Sequence, residues 1–181
     1  KEYNKALLKN NDRYHMTDRQ RKKYESLLNI AGNGVMGYVE IPSISVSLPI
    51  YHGTDQEVLQ IGVGHIGGTS LPVGGKGTHC AISGHRGLTS SKLFTDIDQM
   101  AEGDVFKLSV LGEILTYEVD QIRIVLPNEL NDLRIESDKD YCTLVTCTPY
   151  GVNSHRLLVR GHRIRNDEEG LVVEDAKQIE P

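Results

Sequence analysis

The stretch Tyr141-Cys-Thr-Leu-Val-Thr-Cys147-Thr148-Pro149-Tyr-Gly-Val-Asn-Ser-His155-Arg156-Leu-Leu-Val-Arg-Gly-His-Arg-Ile164 decides the fold. Both of its ends are β-prone, and they flank a run of Thr, Pro, Gly, Asn and Ser that suits a loop. Two strands are therefore predicted, the first stopped by proline just past Cys147. If the Thr148–His155 segment joins neighbouring strands, Arg156 returns beside Cys147.

Working outward, the same extended character recurs. Gly37-Tyr-Val-Glu-Ile-Pro42 and Ile44-Ser-Val-Ser-Leu-Pro-Ile50 read as strands joined by a proline turn. Thr78–Ser83 is a buried strand candidate that runs straight into Gly84-His85-Arg86-Gly87. Val105–Val110 and Ile114–Leu126 read as strands around a Leu111-Gly-Glu turn, and Leu171-Val-Val173 as a last short one. Between them, Asp55–Ile61 reads as a helical turn or two, Gly62–Gly77 as a glycine-rich connection and Lys92–Ile97 as a short helix. About eight strands with few helices close most economically as a β-barrel, so the predicted class is mostly β.

Residues before Val35 differ in character. Lys5-Ala-Leu-Leu-Lys9 is a short amphipathic segment, and a second helix starts after the N-cap Thr17 and runs through Leu28. Tyr24, Leu27 and Leu28 share one of its faces, and Ala31-Gly-Asn-Gly34 ends it. The predicted organisation is a helical appendage over 1–34 followed by a barrel domain over 35–181.

The 181 residues can bury a core without disulfides or a structural metal. With no tryptophan and only two phenylalanines, that core must rest on Ile, Leu and Val. Eighteen glycines favour a turn-rich β architecture over a bundle. A net charge of -5 argues against a nucleic-acid partner, and the Arg19–Lys23 cluster reads as a solvated helix face. No stretch reaches the ~18–20 apolar residues that cross a membrane. Lacking an initiator Met and signal-like organisation, and polar at both ends, the chain reads as a trimmed piece whose membrane anchors lie outside it.

Cysteines 80, 142 and 147 include no C-x-x-C pair, and no histidine pair has zinc-ligand spacing with a third donor. Neither metal nor cofactor is expected. The odd count leaves a free thiol, and Cys142 and Cys147 should face opposite sides of one strand. Cys147 sits at the rim of the sheet, where a side chain is rigid yet reachable. A thiol nucleophile also needs a base or imidazolium and a cation or N–H donors for its oxyanion. Arg156 offers a fixed cation, or is one more surface arginine beside Arg134, Arg160, Arg163 and Arg165. Seven histidines (15, 52, 65, 79, 85, 155 and 162) compete for the base. His85 stands out because flanking glycines keep its imidazole accessible; His79 lies inside a strand, and His155 adjoins Arg156. Read locally, Cys147 could equally be a small buried hydrophobe.

Thr143-Leu-Val-Thr-Cys147-Thr-Pro-Tyr-Gly-Val-Asn-Ser-His-Arg156-Leu157 resembles the signature of the sortase family, Leu-x-Thr-Cys followed by an arginine. Ser83-Gly-His85-Arg-Gly87 resembles the segment that carries the sortase histidine, and Gly37-Tyr-Val-Glu-Ile-Pro42 the strand that opens the sortase barrel. The full Thr-Cys-Thr-Pro-Tyr-Gly-Val-Asn-Ser-His-Arg form looks like class C, the pilus-assembling sortases. The resemblance covers roughly Gly37 to Ile164.

It implies an eight-stranded β-barrel and a cysteine transpeptidase with Cys147 as nucleophile, His85 as acid and base, and Arg156 as substrate and oxyanion ligand. Thr146 and Thr148, which flank the nucleophile, would shape the substrate groove. The implied substrate is a Leu-Pro-x-Thr-Gly-like sorting signal, and the implied partners are pilin subunits that offer a lysine amine. The implied location is the extracytoplasmic face of a Gram-positive membrane. A wall-anchoring sortase, a hydrolytic cysteine peptidase and a non-enzymatic barrel module are the alternatives. One departure stands out: class C sortases commonly carry an Asp-Pro-aromatic lid motif, and residues 1–36 contain none, Pro42 being the first proline.

Overall fold

The computed structural model describes residues 1–86 and 93–165. Eight strands form a closed barrel: β1 (Val35–Ile41), β2 (Val46–His52), β3 (Val63–His65), β4 (Thr78–Ser83), β5 (Val105–Val110), β6 (Glu113–Val125), β7 (Asp140–Thr148) and β8 (His155–Ile164). Around the barrel the order is β1-β2-β3-β4-β7-β8-β6-β5. The pairs β2–β3 and β4–β7 are parallel, and the rest are antiparallel. Closure pairs every strand on both sides and leaves no sheet edge open.

The alternation of side chains sorts each strand into an inner and an outer face. On β7, Cys142 and Leu144 point into the main core, while Val145 belongs to a second apolar cluster on the outside. On β4, Cys80 and Ile82 go inward and Ala81 outward. The inner core is the expected Ile, Leu and Val packing, and the two phenylalanines, Phe94 and Phe106, are both fully buried within it. Phe106 stacks on Tyr117, its partner across β5 and β6, with ring centroids 5.7 Å apart.

Two helices precede the barrel, α1 (Glu2–Leu8) and α2 (Asp18–Ser26), and a third, α3 (Gln56–Leu59), is a single turn. Thr17 caps α2 as expected, and Gln20 completes a capping box by returning its side chain to the Thr17 N–H. Tyr24 is buried in the barrel core, its hydroxyl 2.6 Å from Nδ1 of His65. The helices thus lie against the barrel rather than apart from it.

The structure corrects the sequence reading at several points. The glycine-rich connection over 62–77 contains β3, three buried residues paired to both β2 and β4. Three residues carry no readable periodicity, and Gly64 is needed because a Cβ there would lie 2.0 Å from the carbonyl oxygen of Gly53. Helix α2 ends at Ser26 rather than running through Leu28: Leu27 turns extended and Leu28 takes a positive φ of 56°. Both leucines still pack against the core. Strand β7 runs through Thr148 and β8 starts at His155, so the intervening loop is shorter than expected. The short helix expected from Lys92 is a 3-10 turn at Ile97–Gln99, Lys92 itself lying outside the described residues, as does the strand expected at Leu171–Val173.

His79 shows what a buried histidine does to stability. It is buried against the outer face of β4, with Nδ1 2.9 Å from the Arg134 carbonyl and Nε2 2.6 Å from the Thr143 hydroxyl. A carbonyl only accepts, so Nδ1 carries the proton and Nε2 accepts from Thr143. Burial lowers its pKa from 6.5 to about 4. Because the folded pKa is depressed, the unfolded chain takes up the proton first. Stability is therefore complete above about pH 6.5 and is lost as pH falls toward 4, by at most roughly 3 kcal/mol. Urea unfolding at pH 7 and pH 4.5 should show a smaller pH dependence in His79→Gln than in the wild type. Equal dependences would remove His79 as the cause.

Candidate active site

The register of the barrel builds a single row of chemical groups. Cys147 on β7 is the direct partner of Arg156 on β8, and Arg156 in turn opposes Val125 on β6. On the other side of β7, β4 pairs Ser83 with Val145. Continuing that parallel register by two residues sets His85 beside Cys147. Paired residues project to the same face, here the outside of the barrel. The thiol and guanidinium carriers lie on the adjacent strands β7 and β8, and the imidazole carrier in the turn just past β4, at one end of the barrel.

Local packing holds the His85 turn in line with this row. The N–H of Gly84 donates to the Val145 carbonyl at 3.0 Å, and the hydroxyl of Thr146 donates to the Gly84 carbonyl at 2.9 Å. The N–H of Phe94 then donates to the His85 carbonyl at 3.1 Å. Gly84 faces inward, where a Cβ would lie 2.6 Å from the Phe94 ring and 2.9 Å from Cγ1 of Val63. Only glycine lets the turn settle this close to Phe94. Gly84→Ala is expected to cost about 1–3 kcal/mol through overpacking and to slow turnover about tenfold by displacing His85. Parallel chemical unfolding and peptide-cleavage assays check this; wild-type values in both would show that the contact is slack.

The three cysteines divide as their faces require. All are free; Cys80 and Cys142 are buried, and Cys147 is half-buried. Cys80 and Cys142 are direct partners across β4 and β7 on the inner face. Burial, together with the neighbouring Cys80, pushes the Cys142 thiol well above its ordinary range. Both inner thiols are closed off from solvent, and Cys147 is the partly exposed one of the three.

Histidines sort by the same criterion. His65 and His79 are buried, and His52 spends both ring nitrogens on the carbonyls of Gly34 and Leu27. His15 lies on the surface against Asp12, and His155 is bonded to the Ser154 hydroxyl. His162 lies 3.4 Å from Asp120 at the far end of β8. Only His85 falls in the Cys147 row. Arg156 is half-buried, with Nη1 donating to the carbonyls of Asn153 and His155, which folds its stem along the β7–β8 loop.

Thr146 departs from the sequence reading. It is buried on the inner face with its hydroxyl committed to the Gly84 carbonyl, so it does not line a groove. Thr148 is half-buried at the end of β7, and its hydroxyl accepts from Nη1 of Arg86 at 3.3 Å. Two features escaped sequence reasoning. One is an outer apolar cluster of Ala81, Val145, Leu158 and Leu133, with Ile66 and Val125 packed against it, whose Val145–Leu158 pair lies one row below Cys147 and Arg156. Its signal is the adjacent pair Leu144-Val145, which puts an apolar side chain on each face of β7. The other is Arg86, whose contact with the Cys147 carbonyl no spacing announces.

Comparison with known proteins agrees with this architecture. Residues 39–164 match the family model described as the sortase domain. The chain is 30% identical over 131 residues to sortase D of Bacillus subtilis, covering 71% of this chain and 63% of that protein. It thus spans a little over six tenths of that relative's length. Sortase C1 of Streptococcus agalactiae superimposes with a TM-score of 0.89 at 56% identity, covering 92% of this chain and 86% of that one. A Clostridium perfringens sortase C, solved with the C-terminal cell wall sorting motif, gives a TM-score of 0.78 at 47% identity over 91% and 85% of the two chains. Family-model match, barrel and relatives together make this chain a member of the sortase family.

Proposed function

We propose that this chain cleaves a Leu-Pro-x-Thr-Gly-like sorting signal between Thr and Gly and joins the new carboxyl end to a lysine amine of a pilin subunit. The observation that carries the reading is the Cys147–Arg156 pair with the His85 turn tied beside it through the Gly84 N–H and the Val145 carbonyl. The Cys147 thiolate attacks the threonine carbonyl, and Arg156 stabilises the oxyanion that forms. His85 gives its proton to the departing glycine amine, leaving a thioester on Cys147. The lysine amine then attacks the thioester, His85 takes the proton from the attacking nitrogen, and the thiolate leaves as the isopeptide bond closes.

The pilin acceptor is supported by the class C form of the Cys147–Arg156 segment and by the sortase C relatives. Substrate and partner place the reaction at the extracytoplasmic face of a Gram-positive membrane. The test is to mix the chain with a pilin bearing a sorting signal and an acceptor lysine. High-mass ladders that vanish in Cys147→Ala are expected. Hydrolysis across all amine donors would mean a peptidase, and attachment to peptidoglycan amines without ladders would mean a wall-anchoring enzyme.

A further inference from the structure

Arg86 follows His85 directly, yet its side chain leaves the turn and crosses to the strand that carries the nucleophile. Nη1 lies 3.4 Å from the Cys147 carbonyl oxygen and 3.3 Å from the Thr148 hydroxyl. Nη2 pairs with the Asp98 carboxylate at 2.5 Å, and the guanidinium sits 5.6 Å from the ring centroid of Tyr150. The side chain is only 8% exposed, and its Nε is buried with no partner among the described residues. A cation this desolvated is costly unless its partners are fixed. Its partners are the backbone of Cys147 itself and a carboxylate on the 3-10 turn at Ile97–Gln99.

The same short segment grips the His85 turn twice. Phe94 donates its N–H to the His85 carbonyl, and Asp98, four residues on, holds Arg86. Gly84 binds the turn to Val145, two residues before the nucleophile. Among the described residues, Arg86 is what connects the turn to Cys147 itself.

We propose that Arg86, held by Asp98, is a positioning residue that sets the spacing between His85 and Cys147. This rests on the reading of Cys147 as nucleophile. Arg86 presents its guanidinium to the backbone side of Cys147, so it acts through the placement of the two reacting side chains rather than on the substrate. The planar fork of arginine spans Thr148, the Cys147 carbonyl and Asp98 together; a lysine can keep the charge and only part of that geometry.

The test compares the wild type with Arg86→Met, Arg86→Lys and Asp98→Asn in peptide cleavage, each rate normalised to thiol-reactive Cys147, with Cys147→Ala assayed per total protein. Arg86→Met is expected to lower kcat about 30-fold with KM changed less than about threefold, since small misplacements of reacting groups are that costly. Arg86→Lys should recover most of the loss, and Asp98→Asn should lower kcat about five- to tenfold with KM again held. A merely structural role would lower the titratable fraction or the melting temperature and leave kcat per site intact. Wild-type kcat per site in Arg86→Met, or a loss confined to KM, would overturn the proposal. Should Arg86→Met fail to fold, wild-type kcat in Asp98→Asn overturns it instead. Retained cleavage in Cys147→Ala would sink the nucleophile itself, a separate outcome.

Discussion

Cys147→Ala is expected to lower cleavage of a sorting-signal peptide by at least about ten thousandfold, because nothing else in the row can form the acyl bond. The residue is half-buried at the rim of the barrel, so the same change should move the melting temperature by no more than about 2 °C. Cys80 and Cys142 make the opposite case. Both lie inside the barrel, so their replacement by alanine should cost stability and leave the nucleophile in place. Peptide cleavage followed by mass spectrometry, with thermal unfolding on the same samples, separates the two classes. Cleavage by Cys147→Ala within tenfold of the wild type would move the chemistry to another residue.

Arg156→Ala should be the next most damaging change. The guanidinium is the fixed cation in the Cys147 row, and loss of one oxyanion donor typically costs about 10²–10³-fold in turnover. Its Nη1 donates to the carbonyls of Asn153 and His155, so the loop, not the substrate, supplies its orientation before binding. Arg156→Lys keeps a charge but not the fork, and should recover only part of the loss. Steady-state kinetics on a sorting-signal peptide give the answer. Turnover within threefold of the wild type in Arg156→Ala would make the residue an ordinary surface arginine, which was its bland sequence reading.

The ends of the fold's decisive stretch were legible because each signal there is local. A β-prone run, a proline and a polar loop specify β7, its stop and β8, and loop length alone returns Arg156 to Cys147. The split between Cys142 and Cys147 needed only strand alternation. What was not legible depends on contacts between distant segments. Strand β3 is three residues long and exists because β2 and β4 leave a place between them. The inward direction of Thr146 follows from the strand period, but its role follows from Gly84, 62 residues away. His85 stands out in the sequence by its flanking glycines, and the structure adds that the Arg134 carbonyl and Thr143 already engage His79. Arg86 was adjacent to a noticed residue, yet its importance lies in reaching β7 and Asp98.

The most direct measurement is intact mass followed by peptide mapping after brief incubation with a sorting-signal peptide and no amine donor. The expected species is the chain plus the acyl fragment ending in threonine, mapped to Cys147 and discharged when a lysine-bearing acceptor is added. An adduct on Cys80 or Cys142, or cleavage of the peptide with no covalent intermediate even after rapid quenching, would contradict the nucleophilic row of His85, Cys147 and Arg156.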